Sequence, residues 1–326
     1  MGHVLHKLLN RVTRRVAIDL GWARRRFDAQ HGRICVLTYH GIVPDEMIGR
    51  PWVPSQAVSA SQFARHMAML AEFGPVRPLG EALRRVQVNP DEPPAVCVTF
   101  DDGLADNVTL AFPILRGYGH RATFFLATGY IGPEQYLPND MIRLLRPLHA
   151  TGHLHHVNDT VAGILNDPKR AKTLRRGSYA ADLAALWYER MYDVDQAGRE
   201  CLRMMTWPQV LELQNAGMEI GAHTVHHVIL GRESHRRRRD EIVESVARVR
   251  SKTGASEVPF AYPNGLPNDY ERFDVDLLRA LDVPYAVTER PGWTDVTTPV
   301  LELHRNCIGR HCSEREFMAI VCGVGD

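Results

Sequence analysis

The sequence lacks paired cysteines, long apolar runs and any marked excess of charge. Its six cysteines are scattered with no C-x-x-C pair, which favours free, buried thiols in a reducing compartment over a disulfide framework. No window contains the roughly 18 apolar residues that a membrane-spanning helix needs. A formal net charge of +1 over 326 residues gives no indication of a nucleic-acid partner or a polyanionic substrate. With 44% hydrophobic residues, the chain can nevertheless bury a large core.

Residues 1–30 combine apolar side chains at helical spacing with a series of basic residues. Because Lys7, Arg11 and Arg14 interrupt the apolar stretch, the segment is not typical of a secretory signal, and we expect a cytoplasmic protein. A basic amphipathic helix of this kind can bind an anionic surface, which predicts peripheral contact at the inner face of the membrane. Packing of this helical arm against the outside of the main domain is the alternative.

Beyond residue 30, short apolar runs rich in β-branched residues alternate with segments of helical periodicity. The apolar runs predict strands at residues 33–40, 95–100, 121–128, 218–222, 258–262, 283–288 and 299–304. The periodic segments predict helices at residues 61–73, 106–118, 207–217 and 236–253. This alternation is typical of an α/β fold with a parallel sheet and outer helices, here a distorted (β/α) barrel of about seven units.

Residues 131–205 interrupt this alternation and are too long for an ordinary loop. Within them, residues 140–148 and 180–192 have helical periodicity. We therefore predict one barrel domain over residues 31–326, interrupted at 131–205 by a helical, cap-like insertion close to the functional site.

Polar residues stand where several of the predicted strands end. In (β/α) barrels the C-terminal ends of the strands meet at one face, and that face carries the chemistry. In this sequence the strand ends carry His40, Asp101-Asp102, His223, Tyr262 and His304. We therefore expect side chains that are far apart in the sequence to meet at the mouth of the barrel.

Two of these strand ends predict a metal site. Asp101 and Asp102 are adjacent, and in one pocket their charges repel unless a cation or a shared proton intervenes. A simple Asx turn is the structural alternative. His223 and His227 are four residues apart, a spacing that places both imidazoles on one side of a helical turn or a tight loop. Two imidazoles and one carboxylate form the layout of a catalytic zinc site.

The motifs Thr99-Phe100-Asp101-Asp102-Gly103 and His223-Thr224-Val225-His226-His227 together resemble those of the polysaccharide deacetylase family, also called carbohydrate esterase family four. Three further segments are similar to the same family: residues 38–41 (TYHG), 217–221 (GMEIG) and 260–265 (FAYPNG). The resemblance covers residues 33–130 and 204–308, and leaves out the N-terminal arm and the middle of the insertion.

The resemblance implies a distorted (β/α) barrel with one divalent metal ion, for which we expect Zn²⁺. It also implies removal of an N-acetyl group, or in some members an O-acetyl group, from a sugar. By position, Asp102, His223 and His227 correspond to the metal ligands. Asp101 corresponds to the general base, which takes a proton from the metal-bound water that acts as the nucleophile.

The motifs leave two candidates for the proton donor. His304 corresponds to a histidine that the family often places after a late strand, and His40 ends the first strand; a structural or orienting role is the alternative for each. For the substrate, backbone N–H groups near Tyr262, which precedes Pro263, would stabilise the developing oxyanion. Trp293 could stack on a sugar face, with a place in the core or at the rim as the alternative.

One expected residue is missing from the motifs. Many members of the family carry an arginine before the proline-aromatic segment, where it pairs with the catalytic aspartate. Here Phe260-Ala261-Tyr262-Pro263 contains no arginine. Arg305, from the neighbouring strand, could take its place, or Asp101 is unpaired and its pKa is raised.

We therefore expect a hydrolase that removes an N-acetyl group from a sugar or a glycan precursor. A cytoplasmic location would favour a free, lipid-linked or nucleotide-linked precursor over a mature cell-wall polymer. Two alternatives use the same fold, namely an O-acetyl sugar esterase and a non-catalytic glycan-binding module. The complete Asp-Asp and His-x-x-x-His motifs disfavour the binding module.

Overall fold

A computed structural model describes residues 21–324 of the chain. Residues 1–20, which hold most of the predicted basic amphipathic helix, lie outside the described residues. Residues 21–28 form helix α1, and its Phe27 packs against Phe73 and Trp293 with ring centroids 4.9 and 5.9 Å apart. This end of the predicted arm therefore packs against the main core. Within residues 21–324, no helix combines the length and apolarity needed to cross a bilayer.

The strands are short and almost entirely buried. They are β1 (Ile34–Tyr39), β2 (Ile42–Val43), β3 (Val58–Ser59), β4 (Ala95–Phe100), β5 (Thr123–Leu126), β6 (Glu219–Ala222), β7 (Phe260–Ala261), β8 (Ala286–Val287) and β9 (Asn306–Cys307). The sequences ICVLTY of β1 and AVCVTF of β4 are continuous apolar runs because both faces of a parallel sheet are covered.

Seven of these strands form one parallel sheet in the order β8-β7-β6-β5-β4-β1-β9. The sheet curls into a half-barrel with helices around it, which confirms the predicted distorted (β/α) barrel. Strand β1 pairs with β4 from Ile34↔Ala95 to Tyr39↔Phe100, and β5 pairs with β6 up to Leu126↔Ala222. This register ends neighbouring strands at one level, and the residues that follow them share one face of the sheet.

The last part of the barrel differs from the prediction. Residues 299–304 do not form a strand; β9 begins two residues after them, at Asn306. Leu303 pairs with Val287 in β8, whereas Asn306 pairs with Leu37 in β1. The segment 303–307 thus pairs with β8 and then with β1, and an apolar sequence pattern could not show this change of partner.

The helices surround the sheet and follow the strands. Beyond α1 they are α2 (Ala60–Ala71), α3 (Leu79–Val88), α4 (Phe112–Gly117), α5 (Pro138–Ala150), α6 (Asp159–Asn166), α7 (Ala180–Arg190), α8 (Gln196–Cys201), α9 (Trp207–Asn215), α10 (His235–Thr253), α11 (Arg272–Ala280) and α12 (Glu314–Val321). Helix α2 begins where the Ser59 side chain accepts a hydrogen bond from the Gln62 N–H, and α10 ends at Gly254 with φ 70°. The sequence patterns did not predict α3, α6, α8, α11 and α12.

The predicted insertion contains helices α5 to α8 and has a hydrophobic core of its own. Trp187 and Tyr136 are at its centre, with ring centroids 4.7 Å apart. Trp52 and Val53, from the connection between β2 and β3, are buried in the same cluster. The insertion is therefore packed on the β2–β3 connection, at the end of the barrel where the parallel strands finish.

Candidate active site

The turn after β4 brings two carboxylates to the mouth of the barrel. Asp101 is 2% exposed, and Asp102 follows with φ 77° in the left-handed region. Gly103 has φ 91°, and a Cβ there would lie 2.8 Å from Ile131 Cδ1, so both the backbone and the space favour glycine. In an extended strand these two side chains would point to opposite faces of the sheet, whereas this turn lets both line one cavity.

His223 and His227 place two imidazole nitrogens beside Asp102. His223 Nδ1 lies 2.8 Å from the Ala261 carbonyl and donates to it, which leaves Nε2 with its lone pair 3.7 Å from Asp102 Oδ1. His227 Nε2 lies 3.0 Å from the same oxygen. Burial lowers the pKa of His223 to about 4, so the imidazole is neutral at pH 7, as a metal ligand must be.

The donor atoms of Asp102, His223 and His227 all lie within 4.8 Å of one another. Two neutral imidazoles and a carboxylate are a donor set suited to a divalent cation. Burial opposes ionisation of Asp102, but the neighbouring His227 holds the pKa of this carboxyl well below its usual range. The three side chains thus have the donor atoms and the spacing that a metal centre requires.

Glu241, on α10, holds the loop that carries His227. Its Oε2 accepts hydrogen bonds from the Val225 and His226 N–H groups, both at 2.8 Å, and its Oε1 lies 2.8 Å from His226 Nδ1. His226 therefore points away from the metal ligands. The sequence did not indicate Glu241, because it lies in a highly charged helical segment where a buried carboxylate cannot be distinguished from an exposed one.

Arg305 binds Asp101 with two parallel hydrogen bonds. Nη1 lies 2.7 Å from Oδ1 and Nη2 lies 2.7 Å from Oδ2, and the arginine is 0% exposed. Nη2 also lies 2.6 Å from Glu289 Oε1, and Nε donates to the Thr288 carbonyl at 2.9 Å. Of the two alternatives for the missing arginine, the structure therefore shows Arg305 in its place. Burial would raise the pKa of Asp101, but the Arg305 charge holds it below its usual value.

His40 lies in the same cavity as the aspartates. It follows β1, and its neighbours there include Cys307 of β9. Burial alone would lower the pKa of His40, but a hydrogen bond with Cys307 and the negative charges of Asp102 and Asp101 raise it to about 10. The negative charges of the two aspartates therefore favour the protonated form of this ring.

The structure does not bring His304 to this cavity. It precedes β9, and the pairing of Asn306 with Leu37 places residue 304 level with the first half of β1. Its N–H donates to Thr294 Oγ1 at 3.0 Å, and Thr294 pairs with Ile34 at the start of that strand. The prediction that His304 ends a strand at the barrel mouth is wrong, because the last strand begins later than its apolar pattern indicated.

The predicted substrate contacts are also placed elsewhere. Tyr262 is fully buried, stacks on Tyr270 at 4.1 Å and donates its hydroxyl hydrogen to the Leu301 carbonyl at 3.0 Å. Trp293 is 4% exposed, and its Nε1 donates to the Ile320 carbonyl at 3.0 Å near α1 and α12. Pro263 is buried. From this loop it is Asn264 and Leu266 that reach the cavity wall.

A cavity of about 530 Å³ lies above the two aspartates and two histidines. The barrel loops line one side of it with Gly41, Pro54, Ser55, Gln56, Ile229, Glu233, Asn264 and Leu266. The insertion lines the other side with Asn139, Asp140, Arg143, Ala171, Lys172, Leu174, Arg176 and Tyr179. Burial raises the pKa of Asp140 to about 6, although Arg143 at 2.8 Å opposes the shift. No motif in the insertion identified these residues in advance.

The fold and the cavity define an α/β-barrel protein with a hydrolase-like candidate site at the C-terminal ends of its strands. Residues 88–284, more than half of the chain, match the family model described as Polysaccharide deacetylase. The chain belongs to the polysaccharide deacetylase family.

The chain is also similar to individual proteins. YxkH of Bacillus subtilis (strain 168) is 29% identical over 113 residues, which are 34% of this chain and 38% of that protein. Among solved structures, Streptococcus pyogenes deacetylase PplD in complex with acetate has a TM-score of 0.60 at 19% identity, covering 90% of this chain and 99% of that chain. IcaB from Ammonifex degensii has a TM-score of 0.57 at 19% identity, covering 90% and 98%. These structures show that the fold is shared.

Proposed function

We propose that the protein is a metal-dependent hydrolase that removes an N-acetyl group from a sugar. One observation carries the proposal: Asp102, His223 and His227 converge beside a buried, arginine-paired Asp101 in a single cavity. Membership of the polysaccharide deacetylase family supports the reaction class, and the deacetylases among its structural neighbours support the fold on which such a site is built.

Asp102, His223 and His227 would hold a divalent cation, for which Zn²⁺ suits two imidazoles and one carboxylate. When bound, such a cation supplies Lewis acidity, which acidifies water and polarises a carbonyl group. Asp101 is buried and ionised, and it accepts the proton of the attacking water. Arg305 fixes the direction of the Asp101 carboxylate through its two hydrogen bonds.

The leaving amine needs a proton. Of the two candidates named by sequence, His40 lines the cavity and His304 does not. We therefore assign proton donation to His40. His40 follows β1 and lines the cavity together with Asp101 and Cys307 of β9.

The substrate we propose is an acetylated sugar or glycan precursor, free or linked to a lipid or a nucleotide. The insertion supports a short substrate, because Lys172 of the insertion donates to Asn264 Oδ1 of the barrel at 2.9 Å and so joins two walls of the cavity. A cytoplasmic location with membrane contact through residues 1–30 remains part of the proposal, and cell fractionation would test it.

Acetate release from matched N-acetyl and O-acetyl sugars would test the reaction. We expect release from the N-acetyl substrates, loss of release on chelation, and recovery when Zn²⁺ is added back. Asp101→Asn should lower kcat by roughly 10²–10⁴-fold while the metal content stays near that of the native protein. Asp276→Asn, at an exposed ion pair on α11, is the matched control. An Asp101→Asn variant with full activity would contradict the general-base assignment, and release from O-acetyl sugars alone would identify an esterase.

A further inference from the structure

One residue of the insertion contacts the backbone of a metal-ligand candidate directly. Arg176 Nη2 donates to the His227 carbonyl oxygen at 2.8 Å. Arg176 also lines the cavity, and this hydrogen bond connects it to the loop that carries His223 and His227. The contact joins segments 51 positions apart in the sequence.

Arg176 is itself held firmly. It is 9% exposed, and its guanidinium lies 5.6 Å from the centroid of the Tyr179 ring. Its own backbone N–H donates to Glu233 Oε1 at 2.8 Å, so a barrel loop fixes the start of this turn. The arginine therefore presents its donor to the His227 carbonyl from a fixed position.

His227 has a backbone that benefits from such support. Its φ is 51°, in the left-handed region, and Thr224 in the same loop has φ 61°. A non-glycine residue in this region persists only when its surroundings hold it there. Glu241 holds the N–H groups of Val225 and His226, and Arg176 holds the carbonyl of His227, so the loop is fixed from two sides.

We propose that Arg176 is a positioning residue for the metal ligand His227, which makes the insertion a working part of the metal site. This inference rests on the proposed function. By fixing the carbonyl of His227, Arg176 fixes the position from which the imidazole reaches the ion. Mutation of the groups that surround and orient metal ligands typically changes metal affinity by about 10–100-fold.

The coupling works in both directions. If the docked Arg176 favours metal binding, then metal binding favours the docked insertion by the same free energy. The effect should be confined to residues 168–179, which contain Arg176 and the Lys172 contact with Asn264. A purely structural arginine would give no such response to the ion.

Titration of the metal-free, full-length protein with Co²⁺, followed by its visible absorption, tests the inference. We expect Arg176→Ala to raise the Kd roughly 10-fold or more, Arg176→Lys to give an intermediate value, and Arg175→Ala to match the native protein. Arg175 is the control because it is the neighbouring arginine and is exposed. Hydrogen exchange should show that Co²⁺ protects residues 168–179 in the native protein and not in Arg176→Ala.

Each outcome decides one question. Native affinity in Arg176→Ala, or equal affinities in Arg176→Ala and Arg176→Lys, would overturn the role of this hydrogen bond. If Arg176→Ala does not fold, the exchange measurement on the native protein decides, and an unchanged segment 168–179 would overturn the coupling. Failure of the native protein to bind Co²⁺ at all would instead contradict the metal-dependent function, so the two proposals fail separately.

Discussion

Arg305 and Asp101 form a bidentate ion pair inside the barrel, with both hydrogen bonds at 2.7 Å and the arginine fully buried. The same guanidinium lies 2.6 Å from Glu289, and burial raises the pKa of that carboxyl although the Arg305 charge opposes the shift. It also lies 5.6 Å from the centroid of the Phe125 ring. Because a lone buried charge is costly, these groups depend on one another for stability.

Replacing Arg305 should destabilise the fold as well as the site. Arg305→Met leaves Asp101 and Glu289 buried without their partner, and we expect the free energy of unfolding to fall by about 3–5 kcal/mol. Denaturant unfolding would measure the loss. Arg279→Met, at an exposed pair on α11, should change stability little. Adding Asp101→Asn to Arg305→Met should restore part of the loss, and an additive double variant would show that the pair is not coupled.

Removing Glu241 should loosen the loop that holds His227. Glu241→Ala leaves the Val225 and His226 N–H groups unpaired, at a cost of about 1–3 kcal/mol for each buried donor. We also expect weaker metal binding, measured as the Kd for Co²⁺. Glu244→Ala, one turn along the same helix and exposed, serves as the control. Unchanged Co²⁺ affinity in Glu241→Ala would show that the ligands hold their places without this support.

The two histidines considered as proton donors should respond differently to substitution. His304→Gln should keep kcat close to that of the native protein, because its backbone is fixed near the start of β1 and outside the cavity. His40→Gln should lower kcat by roughly 10²–10⁴-fold with a smaller effect on KM. Steady-state acetate release measures both. Equal losses in the two variants would contradict the placement of His304.

His66 should make stability depend on pH. It is fully buried, lies 2.9 Å from the Tyr39 hydroxyl through Nδ1 and stacks on Phe317 at 4.0 Å. Burial lowers its pKa from 6.5 to about 4. The unfolded chain thus binds the proton first, so this stabilisation is complete above pH 6.5 and is lost as the pH falls towards 4, by up to about 3 kcal/mol.

Urea unfolding between pH 7 and pH 4.5 would measure this loss. His66→Phe should be less sensitive to pH over that interval than the native protein, whatever its stability at pH 7. His155→Gln, at an exposed position of the insertion, should keep the native slope. A His66→Phe variant with an unchanged slope would show that other groups cause the acid sensitivity.

The barrel and the positions of its central site residues were predictable because short sequence patterns indicate them. A buried parallel strand is an apolar run, and the residue that follows it lies at a known edge, which is why Asp102 and His223 were placed together. The last strand was predicted at residues 299–304 because several of them are apolar. Its actual position is set by pairing with β1, which the apolar pattern does not reveal. His304 was misplaced with it, whereas the adjacent Arg305 faces the interior.

Other site residues depended on contacts that no short pattern encodes. Glu241 is buried within a helix that is otherwise rich in exposed charge. Arg176 lies in an insertion outside the family resemblance, and only the folded chain brings it to His227. Trp293 and Tyr262 are aromatic residues that could serve either a sugar or the core, and their hydrogen bonds place them in the core.

The shared packing of Trp52 with the insertion has a practical consequence for engineering. A Cβ on Gly198 of α8 would lie 3.0 Å from the Trp52 ring and 2.5 Å from Leu144, so these parts leave no room for independent change. Residues 43–57 and 131–205 therefore form one exchangeable module. A chimera that transplants only the longer segment would leave the core of the insertion without the Trp52 indole, whereas moving both segments together would keep this packing and carry the insertion's side of the cavity to another barrel.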